Sequence, residues 1–338
     1  MLINDVDFPG PRTPRADVPP RVPNSARRTS VIDTSWPGEV GGDRTVVGRA
    51  SDTITDRNGD ERVAGTATLH FTASHGHARK ITTIDIDPPA DLTPLIGRTA
   101  GPGFRKALDL ALPGESDTLS LRYLLLDDVP GASLVAGHAT AFTRKDQHVH
   151  EPGNSGDGIN RNDMCAGWDV NGSMMVHLRT KRTHPHILGA EAPVSVVPES
   201  PTLPRHGMRR ARRLDVVAPK ADATAAGSFT FDIHFRDSHM GPDGVERSVH
   251  EYSVLGTIAA DGTLLDVHAI AHCLPFVECP NAALSATRLI GLNVRGLRTH
   301  VRNEFTGTST CTHLNDTLRG MADLERLLTA LTRQEHRP

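Results

Sequence analysis

Apolar and polar residues alternate along 46–55, 62–73 and 80–87, with Asn58-Gly59 and Pro88-Pro89 punctuating the runs. A period of two sends successive side chains to opposite faces, and Asn, Gly and Pro make turns, so these segments predict antiparallel strands. The period then changes. Leu95, Phe104, Leu108 and Leu112 fall on one helical face, which predicts a helix over 92–111. Asp117 or Thr118 can cap a second helix running through Asp128. The succession returns further on, with strands near 212–217, 227–237, 248–259 and 264–273 and helices near 282–304 and 312–331. Strands first and helices after favour an α+β fold over a parallel α/β sheet.

The return is also visible residue by residue. Leu95-Ile96-Gly97 matches Leu289-Ile290-Gly291, Gly103-Phe104-Arg105 matches Gly296-Leu297-Arg298, and Gly114 matches Gly307. Asp56 through Arg62 resembles Asp237 through Arg247. Such long-period self-similarity predicts two tandem units, each an antiparallel sheet plus helices. Duplication of a unit that once dimerised would pack them as a pseudo-dimer, the chain then being a monomer or a homodimer. The boundaries read as a disordered, Pro- and Arg-rich segment at 1–27, a divergent first unit at 28–142, an insert at 143–206 and a second unit at 207–332. The insert holds Met164, Trp168, Met174 and Met175. Each such side chain gains roughly 1.5–3 kcal/mol when buried, so a lid over the second unit's site is expected rather than a free linker.

The two units differ where chemistry is concerned. Thr118 and Ser120 of the first stand against Cys311 and His313 of the second, Pro88-Pro89 against Cys279-Pro280, and Ala64-Gly65 against His250-Glu251. That pattern points to one site per chain, in the second unit; the alternative is two structural units whose differences are drift. Cys311 and His313 fall at the first turn of a predicted helix, where backbone N–H groups and the dipole favour a thiolate. Cys279, Cys311 and His313 together would also suit zinc or iron. The plainer reading is that the cysteines are small buried hydrophobes and His313 a helix cap. Asp237 ends one predicted strand and His250 begins its neighbour, so a hairpin could join them as an acid/base pair. Glu251 faces away from His250 in a strand, so only one of them enters the same site; His250 is preferred. Asp316 can orient His313 or pair with Arg319, and the plainer expectation is a solvated carboxylate at the helix start. Trp168, Glu251 and Asp316 are candidates for substrate contact. Three His-x-His pairs, His75/His77, His148/His150 and His184/His186, place two imidazoles on one face wherever the backbone is extended.

Charge and composition narrow the classes. The 338 residues carry a formal charge of −3, without the basic face of a nucleic-acid binder. The Arg-rich run at 205–213 is expected to be the solvated start of a strand. Aromatics at 4% leave little for a base-stacking platform. No run approaches the roughly 20 apolar residues of a membrane span, and no apolar signal segment opens the chain, so a cytoplasmic protein is expected. Four cysteines, three of them within 273–311, do not form the pattern of a secreted disulfide framework. Neither GxGxxG after a strand nor GxxxxGK[ST] occurs, so no nucleotide cofactor is expected.

The stretches MRRARRLDVV, FRDSHMGPDG, VHEYSV, LPFVECPNAA, ATRLIGLNVRGLR and CTHLNDTLR run in order over 208–331 and resemble the bacterial family DUF2889. LIGRTAGPGFRKAL and LLLDDVPGASLVAGHA in the first unit are similar to its longer members with a second, divergent unit. The family name implies no activity. His234, within Asp232-Ile233-His234, departs from the family pattern. A more distant similarity, carried by the strand–Cys loop–helix order and the late Cys/His pair, is to the iron–sulfur scaffold fold of the NifU/SufE type. The expected function is an enzyme of small-molecule metabolism, catabolic or specialised, of isomerase, lyase or hydrolase type. It would act on a small organic substrate through a Cys/His acid–base or metal site. The competing class is a non-catalytic metal or iron–sulfur accessory protein.

Overall fold

The computed structural model describes residues 9–75, 79–143, 161–183, 185, 187–219 and 228–335. Four strands open the fold: β1 (Ser25–Ser35), β2 (Arg44–Thr55), β3 (Glu61–Ala73) and β4 (Ile81–Asp87). Helices α1 (Phe104–Ala111) and α2 (Leu121–Thr143) follow, then α3 (Ser173–Lys181) and the short strand β5 (Ala190–Glu191). Four more strands come next, β6 (Met208–Val217), β7 (Ser228–Met240), β8 (Glu246–Ala259) and β9 (Leu264–Cys273). Helices α4 (Leu297–Glu304), α5 (Thr312–Gly320) and α6 (Leu324–Glu335) end the chain. The class is α+β: one nine-stranded antiparallel sheet in the order β4-β3-β2-β1-β6-β7-β8-β5, with β9 also paired to β8. The halves meet where β1 pairs β6, from Ser25↔Val217 to Thr34↔Met208.

One face of the sheet carries the helices. Beneath them lie two apolar clusters. Leu69, Phe71, Leu95, Phe104, Leu108 and Leu124 anchor the cluster of the first half. Phe231, Val254, Leu289, Val301, Leu314 and Leu327 anchor that of the second. The other face is held by ion pairs. Arg27 pairs with Asp215, Arg209 with Asp33, and Arg236 with Glu251. Arg15 reaches this face and donates to both oxygens of Asp232, at 2.8 Å each. Residues 9–27 are therefore part of the fold and not disordered: Pro9 and Arg12 bridge to Phe276 and Cys273, and β1 starts at Ser25.

Several expected elements break differently. The segment expected to be a helix over 92–111 is a 3-10 turn at Thr93–Leu95, a loop and then α1. Gly97 and Gly103 have φ of 79° and 84°, and the Gly97 N–H is tied to Ile81 O at 2.8 Å, so a continuous helix cannot form. The same break recurs at Gly291 and Gly296, giving a 3-10 run at Cys279–Leu289 before α4. The helix expected over 312–331 is divided by a 3-10 turn at Met321–Asp323. The Arg-rich run is not solvated: Arg209, Arg210, Arg212 and Arg213 of β6 are buried. Among the described residues no helix is long and apolar enough to cross a membrane.

Candidate functional site

On the helical face, three neighbouring strands set the register of the site. Arg210 of β6 pairs with Asp237 of β7, and Asp237 pairs with His250 of β8. Cross-strand partners lie side by side on one face, so one row presents guanidinium, carboxylate and imidazole. A register break after Asp237 marks the row. Helix α5 then drops His313 onto it from above. His313 Nδ1 is 3.0 Å from Asp237 Oδ2, and His250 Nδ1 is 3.6 Å from the same atom. The two rings stack, with centroids 3.6 Å apart and planes 15° from parallel.

Arg210 fixes the carboxylate. Its Nε and Nη2 donate to the two Asp237 oxygens at 2.8 and 3.0 Å, and its Nη1 donates to Asp316 at 2.8 Å. Helix α2 must pass close by for this. A Cβ on Gly131 would lie 1.6 Å from Arg210 Nη1, so only glycine fits there. Asp237 is wholly buried, and although burial alone would raise its pKa, the Arg210 charge and the imidazole hydrogen bonds hold it well below the usual carboxylate range. His250 is pushed down to about 4, by burial first and by the neighbouring His313 second. It is a neutral base at pH 7.

His313 has two ways of being satisfied. A proton on Nδ1 can be donated to Asp237; without it, Nδ1 can accept from Arg210 Nη2 at 3.2 Å. Either neutral tautomer leaves no orphan on that side. With both Nδ1 atoms turned to Asp237, the Nε2 edges are left for a cleft of about 480 Å³ that both histidines line.

The cleft walls come from the insert and from the loop after β9. Trp168, Met164, Cys165, Gly167, Met174 and Ile187 line it with Phe276, Cys279 and Cys311. The insert is anchored there: the Ala166 N–H donates to Thr310 O at 2.9 Å, and Glu278 accepts from the Ser173 N–H and hydroxyl at 2.7 and 2.8 Å. Trp168 is partly buried against the second apolar cluster. Of the insert, residues 144–160, His184 and His186 lie outside the described residues, as does His77. The His148/His150 and His184/His186 pairs therefore fall wholly outside them.

The cysteines behave otherwise than expected. Cys311 caps α5, and backbone N–H groups there do favour the thiolate, yet burial outweighs them and the thiol is raised. Cys279 is raised well above its ordinary value and Cys165 to about 12, burial leading in both. These are neutral wall thiols. Nor do they form the expected ligand set: among the described residues, the donor atoms within 4.8 Å of one another belong to Asp237, His250 and His313.

Glu251 does not reach the cleft. It turns to the opposite face, where it accepts from His234 and Arg236 at 2.8 Å and from the Arg15 N–H at 2.8 Å. His234, the departure from the family pattern, is consumed in that cluster. Asp316 does not line this cleft either, and it is held by Arg105 and Arg210 at 2.8 Å each. Arg210 was missed in the sequence reading. Its signal is the pair of arginines at alternate positions 210 and 212 of MRRARR, Arg210 lying opposite a carboxylate on the next strand.

The first half carries part of the same arrangement. Arg28 of β1 pairs in register with Asp52 of β2 and donates to both its oxygens, at 2.7 and 2.8 Å. Asp52 pairs with Gly65 of β3, again with a register break after the aspartate. By register, Asp52 and Gly65 stand in the first half where Asp237 and His250 stand in the second, whereas the sequence match set Asp56 and Ala64 there.

Comparison with known proteins adds a family and little more. Residues 208–326 match the family model DUF2889, described as a protein of unknown function. No curated protein matches. The crystal structure of a lipopolysaccharide binding protein aligns over 86% of this chain and 73% of that one, at 8% identity and a TM-score of 0.14, which carries no argument.

Proposed function

We propose that the DUF2889 half houses an acid–base enzyme site, which moves protons on a small organic substrate in a reaction of isomerase, lyase or hydrolase type. The observation that carries this reading is the pair of stacked imidazoles on one buried carboxylate, open on their far edges to a largely apolar cleft. His250, neutral at pH 7, is the base that takes a proton from substrate or water. His313, as the imidazolium that Asp237 steadies, gives its Nε2 proton to the substrate and keeps the one on Nδ1; His250 then releases the proton it took and His313 regains one on Nε2 by exchange with water, which restores both rings. The neutral thiols of Cys279 and Cys311 shape the wall and do not attack.

The arrangement of the halves supports a duplicated unit packed as a pseudo-dimer. Arg28–Asp52 and Arg210–Asp237 occupy corresponding register positions, the strand order repeats outward from the β1–β6 pair, and each arginine also reaches an aspartate of the other half, Asp323 or Asp128. In this reading the first half kept the scaffold and lacks the imidazoles.

A metal reading has one observation in its favour, the convergence of Asp237, His250 and His313. Against it, Arg210 already takes both Asp237 oxygens and its Nη2 sits 3.2 Å from His313 Nδ1, where it would repel a cation. The test is elemental analysis of the purified protein followed by a panel of acyl thioesters, lactones and enones. Turnover without stoichiometric metal supports the acid–base site. Stoichiometric zinc or iron that activity requires overturns it.

A further inference from the structure

The cleft that His250 and His313 line has a second chemical feature, at the wall built by the first half. Arg44 opens β2 and lines the cleft beside Leu134, Val135 and His138 of α2. Its side chain belongs to a residue only 7% exposed, yet Nε and Nη1 have no hydrogen-bond partner. No carboxylate pairs with it among the described residues. The adjacent Asp43 accepts instead from His75, both of them exposed. The charge acting on Arg44 is another cation, Arg79; burial first and that repulsion second lower Arg44 to about 10. Elsewhere in this protein buried arginines are matched with aspartates, as Arg28, Arg210 and Arg298 are. A buried, unmatched guanidinium is costly, and such groups are found paired. Among the described residues, those lining the cleft include Arg44, Arg79 and Arg161 and no aspartate or glutamate.

We infer that Arg44 is the anion subsite of this cleft, and that the ligand is a small organic oxyanion, a carboxylate or a phosphate ester, with an apolar body. The head group meets Arg44, the body lies against Leu134, Met164, Trp168 and Phe276, and the far end faces His250 and His313. A volume of about 480 Å³ accommodates such a molecule. This inference names the substrate class of the proposed acid–base site and rests on that reading for what happens at the far end; the binding itself does not depend on turnover.

The experiment is binding by calorimetry to the full chain, with hexanoate, phenyl phosphate and the uncharged hexanamide as probes, for wild type, Arg44→Met and His250→Ala. Hexanoate or phenyl phosphate should bind at least tenfold more tightly than hexanamide. The tighter of the two identifies the head group. Arg44→Met should abolish that preference and, free of ligand, melt no lower than wild type, because an uncompensated buried charge is gone. His250→Ala should retain the preference. Equal binding of the acid and the amide, or unchanged anion binding by Arg44→Met, overturns the subsite. Full turnover by His250→Ala with the preference intact would instead remove the acid–base reading and leave the subsite standing.

Discussion

The two Arg–Asp pairs on the helical face separate what the fold needs from what the site adds. In the first half, Arg28 holds Asp52 and sends its remaining nitrogen to Leu119 O at 2.8 Å and to Asp323. In the second, Arg210 holds Asp237 in the same way, but meets His313 Nδ1, and the next strand offers His250 in place of Gly65. Where the imidazole of His250 would have its counterpart, Leu121 approaches to 3.6 Å from a Cβ built on Gly65. The shared pair locks strands to helices across the halves.

Removing one member of a shared pair should be the most damaging change. Asp52→Ala leaves Arg28, a wholly buried cation, with Asp323 as its one carboxylate among the described residues. The expected loss is about 3–5 kcal/mol of unfolding free energy, read from urea denaturation. Asp237→Ala should cost a similar amount in stability and abolish turnover as well. If Asp52→Ala were as stable as wild type, the first pair would not be a scaffold.

Gly131→Ala sharpens the comparison from the helix side. Its Cβ would fall 1.6 Å from Arg210 Nη1, so Arg210 must leave Asp237 or α2 must shift. A loss of about 1–3 kcal/mol is expected, together with reduced turnover. Gly65→Ala, whose Cβ meets Leu121 at an ordinary 3.6 Å, should leave turnover unchanged.

The halves should also differ in their response to pH. The folded-state pKa of His250, at about 4, lies below the ordinary histidine value near 6.5. The unfolded chain therefore binds more protons between those values, and the stability it opposes is complete above about pH 6.5 and lost as pH falls toward 4. The loss amounts to at most about 3 kcal/mol. Asp237, held below the carboxylate range, adds its own loss only at still lower pH. His250→Ala should reduce the slope between pH 6.5 and 4 and leave the share of His234, which burial also pushes down to about 4, whereas Asp52 variants should retain both.

Sequence patterning captured the layers and the central contact of the site. Alternation located β2, β3, β4, β7, β8 and β9, and the hairpin reading put Asp237 beside His250. It missed β1 and misjudged β6 for a physical reason. Both strands lie mid-sheet with ion pairs on one or both faces, so SARRTSVIDTS and MRRARRLDVV show no apolar alternation despite full burial. The helix boundaries failed at glycines whose left-handed backbone a helical wheel ignores. The cysteines drew attention through their helix-start position, but position says nothing of desolvation, which governs their chemistry here. Arg44 carries no sequence signal at all, since its importance is the lack of a partner, which only the fold reveals.

The most direct test of the account is the turnover lost by His313→Ala set against that lost by Asp52→Asn, both corrected for folded fraction. A positioned acid–base group contributes typically 10²–10⁴-fold, so His313→Ala should fall by at least about a hundredfold with its melting temperature near that of wild type. Asp52→Asn, once corrected, should turn over as wild type does. Equal losses in the two variants, or undiminished turnover by His313→Ala, would contradict the assignment of the chemistry to the second half.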